Sequence, residues 1–455
     1  MKLNITFSLI IVFLMIIVQT FGYADSLLLP VQEPSNRGLL GLKITGLEEY
    51  SSLGMAGAQK GDILTHYNGV KLESVSQLLA LRDRLEQDEV EVILRRGLDD
   101  IKFSVPKGVL GVYLKEIAAE HQIDNDAVIV DGIGHLDWGI GMENSFLGCV
   151  TLLEEKYGSK MSYQGILGLS GYGFRFHFFK GFCPSSPDAT CGRDIGAEVL
   201  NKLGYEFEVY SLPDTGKTSK DEIEKAKEEL QKKIKLSIDH GWPVIAIDLI
   251  DVAEWGIITG YQKNGKELFC RTYFDMTEGY EIAQKFPWVI YAIKGKKEID
   301  IKDEYKKSLI LAKDLYSKKD YGSYTNGING IKTWIKALKD NKFFKSMDEK
   351  KLYETMHANW WIYYSLADAR TINGKYLTAN KEKFGVDTKV IEKLTQLMED
   401  ESSLLNGGIN SVPSIWERKD ASVWTSEVRA QQVEILDEFL KLEEQVNQIL
   451  KTKIK

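Results

Sequence analysis

The spacing of apolar residues changes twice along this 455-residue chain, so no single repeating architecture can contain it. Residues 36–115 alternate apolar and polar in short runs, the period of half-buried strands. RGLLGLKITGL opens on a glycine-rich turn, and GAQKGDILTHYNGVKL carries Asn68-Gly69, a pair suited to the positive φ of a tight hairpin. Ser74 precedes a helical stretch with Leu78, Leu79, Leu81 and Leu85 on or near one face, and VEVILRRG supplies another strand. Residues 124–297 mix the two periods. From 298 to 455 only the 3.6-residue helical period remains. The class is therefore multidomain α+β ending in an α-helical bundle.

Within the middle stretch, SFLGCVTLLEEKYG puts Phe146, Val150, Leu153 and Tyr157 on one helical stripe, ended by Gly158. A segment rich in glycine and aromatics follows. ATCGRDIGAEVLNKLGY gives a second helix capped by Asp194, and DEIEKAKEELQKKIKLSIDHG a third. WPVIAIDLI, WGIITGYQ and KELFCRTYF read as successive strands. In the last stretch, Trp360, Trp361, Tyr363 and Tyr364 crowd both faces of one helix, which places it at the centre of the bundle. Val433, Leu436, Leu440 and Val446 form a stripe on the final helix.

Net charge is −8 with lysines and arginines scattered, which argues against a nucleic-acid partner. MKLNITFSLIIVFLMIIVQTFGYA has Lys2, an apolar run from Ile5 to Phe21, and small residues Gly22 and Ala24 at the exit. It reads as a signal peptide over residues 1–24, giving a secreted or periplasmic protein. The alternative is an uncleaved N-terminal helix that anchors the chain; no other segment suits a membrane. Among the cysteines Cys149, Cys183, Cys191 and Cys270, the second and third bracket the Pro- and Ser-rich loop CPSSPDATC. A local Cys183–Cys191 disulfide is expected in an oxidising compartment. No CxxC or HxxxH spacing points to a metal, and no cofactor is expected.

Residues 36–115 resemble a PDZ domain, most specifically through GAQKGDILTHYNGVKL. PDZ domains add an extended peptide as a strand and hold its terminal carboxylate on glycine-loop amides. The resemblance assigns that loop to Gly38, Leu39, Leu40, Gly41 and Leu42, with amides unused by any ladder partner. The implied partner is a peptide or protein C-terminus, or an internal strand, including one from this same chain.

Residues 124–297 resemble the papain-like superfamily, in the branch of bacteriocin-leader peptidases and butirosin-biosynthesis acyltransferases. FLGCVTLLEEKYGSKMSYQGILGLSGYGFRF carries the likeness, supported by GWPVIAIDLI and EWGIITGYQ. That branch starts its first helix on a nucleophilic cysteine, takes the proton on a strand histidine, and orients the imidazole with Asp or Asn. Counted back from Gly158, the nucleophile position holds Ser145. The histidine position holds Glu254, and the orienting position matches Asp275. HLDWGIGMEN has no glutamine for the oxyanion, only His135, Asp137 and Asn144.

Cys149 lies a turn further in, flanked on its face by Phe146 and Leu153, and is expected to be a core thiol. Ser145 is expected to be an N-cap, and His177 a packed histidine. Glu254 is expected at the rim of a cleft lined by Asn144, Ser145, Cys149, Glu254, Trp255 and Asp275, bonded to backbone amides or to Arg175. The function that follows is an exported peptide- or protein-binding protein with an inactive papain-like domain. The alternative is a cysteine peptidase or acyltransferase using Cys149 or Ser145.

Overall fold

A computed structural model describes residues 39–455, apart from 49, 73, 85, 97–98, 119–120, 137, 139–140, 159, 215 and 415–419. The expected signal segment, Gly38 and Asp137 lie outside the described residues. The chain is mixed α+β, with several antiparallel sheets followed by a helical region.

The first sheet is built from β1 (Leu39–Leu47), β2 (Ile63–Tyr67), β3 (Val70–Lys71), β4 (Glu89–Arg96), β5 (Asp99–Pro106) and β6 (Val112–Ala118). Two helices accompany it, α1 (Ser52–Met55) and α2 (Val75–Arg84). Asn68 and Gly69 turn β2 into β3 with φ of 49° and 76°, the left-handed region that this pair tolerates. Leu42, Ile44, Leu64, Tyr67, Val92 and Leu94 fill the core beneath. Ser74 Oγ accepts the Gln77 amide at 3.0 Å and starts α2.

The strand order is β5-β4-β2-β1-β6, so β1 has a neighbour on each side. Leu42 lies opposite Leu64 of β2 and also opposite Glu116 of β6. The expectation that no ladder partner uses this strand is therefore corrected. The segment just past residue 111 runs antiparallel along β1, from Leu39 opposite Ala118 to Leu47 opposite Val112. Glu116 Oε1 also accepts the Val75 amide at 2.9 Å, which ties β6 to the start of α2. Gly41 lets β1 approach β2: a Cβ there would stand 2.7 Å from Ile63 Cγ2, and its φ is +146°.

The strands of the second sheet are β7 (Val128–Ile129), β9 (Tyr205–Ser211), β10 (Val244–Ile247), β11 (Trp255–Gln262), β12 (Glu267–Arg271), β13 (Glu281–Ile282) and β14 (Val289–Lys296). Their order is β13-β12-β11-β10-β14-β9, with β7 beside β11. The helices are α3 (Ser145–Tyr157), α4 (Tyr163–Ser170), α5 (Ile195–Lys202) and α6 (Lys220–Asp239). Every residue of β11 is buried, Thr259 and Gln262 included, as befits a strand with neighbours on both sides.

The helical region comprises α7 (Lys302–Ser317), α8 (Gly327–Leu338), α9 (Asn341–Lys345), α10 (Glu349–Ala379), α11 (Thr388–Gly408) and α12 (Ser426–Lys453). A small sheet joins it to the middle region: β15 (Asp320–Tyr321), β16 (Tyr324–Asn326) and β8 (His177–Phe179), with Asn326 opposite His177. Among the described residues no helix is long and apolar enough to cross a membrane. The boundary near 298 separates element types but not cores. Phe146 and Leu167 share one apolar cluster with Tyr376, Leu394 and Leu450.

A charged cluster sits inside the helical region. Arg370, Glu401 and Glu443 are all 0% exposed. Glu443 accepts from Arg370 Nε at 2.9 Å and Nη2 at 2.6 Å, and from the Tyr316 hydroxyl. Glu401 Oε2 is 3.0 Å from Arg370 Nε, but neither Glu401 oxygen has an aligned donor. Burial, then the neighbouring Glu443 charge, pushes the Glu401 carboxyl well above the carboxylate range. Glu401 thus keeps a proton. Arg370 Nη1 also donates to Gly173 O at 2.6 Å, linking α10 to the glycine-aromatic segment.

Candidate functional site

The site forms where α3 starts against β11. Asn144, in an extended conformation, is the N-cap; its side chain accepts the Leu147 amide at 3.1 Å. That corrects the expectation for Ser145, which is instead the first helical residue and turns its hydroxyl elsewhere. Ser145 Oγ donates to Glu254 Oε2 at 2.6 Å and accepts the Trp255 amide at 3.2 Å. The Trp255 indole donates from Nε1 to Asp188 Oδ2 at 2.7 Å. Asp188 Oδ1 accepts both the amide and the hydroxyl of Thr190 at 2.7 Å, closing a tight turn in the 183–191 loop.

Glu254 is half-buried by area, yet protein atoms crowd its carboxyl group. Burial raises that carboxyl to about 7; the Ser145 hydrogen bond opposes the rise and the Asp188 charge adds to it. A bond from Arg175 to Glu254 was expected. The guanidinium instead donates to Pro187 O at 3.3 Å, to His177 Nδ1 at 2.7 Å and to Cys191 O. The role of electrostatic neighbour to Glu254 falls to Asp188.

Asp275 is fully buried and accepts the Thr272 amide at 2.7 Å and the Thr272 hydroxyl at 3.1 Å. Its other oxygen faces Arg271 Nη1 at 3.3 Å. Burial lifts its carboxyl to about 6 against the pull of Lys115 and Arg271. It serves the turn after β12, and its hydrogen bonds run to that turn.

Cys149 is 0% exposed in the core with Phe146 and Leu153. Burial first, and the Glu254 charge second, push its thiol well above the usual range, so both effects oppose the thiolate. His177 is also buried; desolvation and the adjacent Arg175 cation hold it well below the usual imidazole range, hence neutral. Asn144 Nδ2 points to Pro187 O at 3.4 Å, which occupies one of the oxyanion substitutes.

All four cysteines are thiols. The expected Cys183–Cys191 bridge is not formed; the Tyr324 hydroxyl of β16 hydrogen-bonds toward both sulfurs. Sequence reasoning put Trp255 at the cleft but missed Asp188, the acceptor of its indole. Asp188 carried a local sign, an aspartate two residues before a threonine in a loop, but nothing local joined it to β11. The Ser145–Glu254 pair was assembled by the fold as two positions of one site, with the chemistry of a hydroxyl and a buried acid. No protein-family model matches the chain, and no curated protein sequence matches it.

Proposed function

We propose that this chain is an exported, non-catalytic binding protein. In this reading a PDZ-like module clasps a strand of its own chain, and a papain-like domain keeps the shape of an enzyme without its machinery. The observation that carries it is the 2.6 Å hydrogen bond from Ser145 to Glu254, at the positions where the superfamily keeps a cysteine and a histidine. A nucleophile needs an available lone pair, a strong enough base and access for substrate. Ser145 is 5% exposed, and its oxygen already accepts the Trp255 amide. A carboxylate titrating near 7 is a weak base for an alkanol. The alternative nucleophile, Cys149, is a core thiol held protonated.

The strand order and the Gly41 approach support the PDZ-like reading of the first sheet. With β6 tethered beside β1, an outside peptide competes against an effective concentration on the order of millimolar. Wild-type protein is therefore expected to bind array peptides weakly. Ile117 of β6 is 2% exposed, so Ile117→Asp should loosen the strand. Peptide affinity should then rise at least tenfold, to be read by fluorescence anisotropy. Tight wild-type binding that Ile117→Asp leaves unchanged would place the peptide surface elsewhere.

A further inference from the structure

The strand that fills the edge of β1 also touches the second sheet. Its last residue, Ala118, donates its amide to Met276 O. Lys43 of β1 adds an ion pair, Nζ to Glu278 Oε2 at 2.8 Å. The buried Asp275 carboxyl, lifted by burial, is drawn back first by the Lys115 charge. Just past the strand, His121 Nε2 meets Glu281 Oε1.

These contacts converge on residues 272–281, a turn closed by its own hydrogen bonds. The Thr272 amide donates to Asp275 Oδ1 at 2.7 Å, and the Met276 amide to Glu281 Oε2 at 3.1 Å. The same turn holds the approach to α3. The Tyr280 hydroxyl accepts the Ile133 amide at 3.0 Å, and the Tyr273 hydroxyl donates to Met142 O. Met142 lies two residues before Asn144, the cap of α3. A series of bonds thus runs from β1 through β6 and the turn to the residues around Ser145. Within it, β6 is an edge strand with two states open to it: docked on β1, or released when another strand takes its place.

We propose that β6 is a strap through which occupancy of the β1 edge reaches the start of α3. An extended segment of another protein that replaces β6 withdraws Ala118 from Met276, loosens the 272–281 turn and frees Met142 beside the Asn144 cap. This coupling rests on the reading of β1 as a strand-binding edge and adds to it a route to the second sheet. The kind of partner is set by what β6 vacates. It is a strand with an apolar residue where Ile117 is buried and an acid where Glu116 Oε1 accepts the Val75 amide at 2.9 Å. By linkage, whatever tightens the start of α3 also holds β6 down.

The test is residue-resolved amide exchange of the full chain with the synthetic peptide VYLKEIA, the sequence of β6, at millimolar concentration. The same residues in shuffled order serve as the comparison peptide. VYLKEIA should speed exchange at Lys115–Ile117 about tenfold, and Thr272, Met276 and Leu147 should follow by a similar factor. Ala197, whose amide makes a like cap bond to Asp194 at 2.8 Å, should not respond. Ile117→Asp should give the same pattern without peptide. Tyr273→Phe removes the hydroxyl that holds Met142, so Thr272 and Met276 should still respond while Leu147 no longer does. The coupling is overturned if Lys115–Ile117 speed up while Thr272, Met276 and Leu147 do not, a result that leaves the strand-binding edge standing. It is overturned too if Ala197 speeds up equally, if the shuffled peptide acts as well, or if Leu147 still responds in Tyr273→Phe. If neither VYLKEIA nor Ile117→Asp releases β6, the edge does not exchange strands, and the coupling falls together with the reading it rests on.

Discussion

Arg370→Met is expected to destabilise the protein by about 3–5 kcal/mol, the usual consequence of stranding a buried charge by removing its partner. The substitution would leave Glu401 and Glu443 together at 0% exposure, with no cation between them. It would also release the Gly173 carbonyl that α10 now holds. The two glutamates should respond unequally. Glu443→Gln removes the charge that pairs with Arg370 and leaves one carbonyl oxygen where two oxygens serve Arg370 and Tyr316, so it should cost nearly as much as losing Arg370. Glu401→Gln replaces a side chain already held neutral, so its cost should be under about 1 kcal/mol. As pH rises past 4.5, where the unfolded chain releases the proton that folded Glu401 keeps, Glu401→Gln should become progressively stabilising. Urea unfolding followed by circular dichroism separates these outcomes; equal losses for both glutamine variants would contradict the assigned protonation.

Glu254→Gln should raise stability by about 2–3 kcal/mol at pH 8 and leave it unchanged at pH 4.5. The folded carboxyl titrates near 7, against 4.5 for the ordinary group. Between those values the folded state holds a proton that the unfolded chain releases, so rising pH lowers stability. The stabilisation of the folded state is whole at low pH and is lost as pH climbs through the folded value. The gap between 4.5 and about 7 corresponds to about 3 kcal/mol, with the lower end of the range allowing for the exposure that the residue keeps. Glutamine cannot ionise, and its carbonyl still accepts from Ser145. Thermal unfolding of both proteins from pH 4.5 to 8.5 should therefore give curves that coincide near pH 4.5, diverge progressively up to about pH 7 and run parallel above it. A constant offset across that range would mean that the carboxyl is not held protonated by burial.

How much of this was legible in the sequence follows from the range of each signal. Asn68-Gly69 announced its turn because a two-residue hairpin is chosen locally. The helices after 298 were legible because an apolar stripe repeats within a few residues. What lies opposite a stripe is not encoded nearby. The shift in composition at 298 was readable, whereas the core that joins Phe146 to Tyr376 and Leu450 was not. For the same reason nothing near GVYLKEIA reveals that this segment fills the edge of β1. In the site, the resemblance to the papain-like superfamily singled out Ser145 and Glu254, and helix spacing set Cys149 among apolar neighbours. Asp188 stayed hidden because its bond to the Trp255 indole spans residues far apart in the chain. The disulfide expectation used the Pro- and Ser-rich loop and an oxidising compartment, and could not foresee that a tyrosine from a distant strand bonds toward both sulfurs. Arg370, in an aromatic-rich helix, gave no sign of the two acids awaiting it on α11 and α12.

The central claim of the proposed function is that the middle region, read as papain-like, binds and does not catalyse. Its most direct test is intact-protein mass spectrometry after hours of exposure to a fluorophosphonate and, separately, to iodoacetamide at pH 7.5. The folded wild-type protein is expected to take up neither label at Ser145 or Cys149, with Cys149 labelled only after denaturation. The Ser145→Cys, Glu254→His protein, which restores the expected thiol and imidazole, serves as the positive control. Stoichiometric labelling of native Ser145 or Cys149, abolished by Glu254→Gln without loss of fold, would contradict the account and make Glu254 a working base.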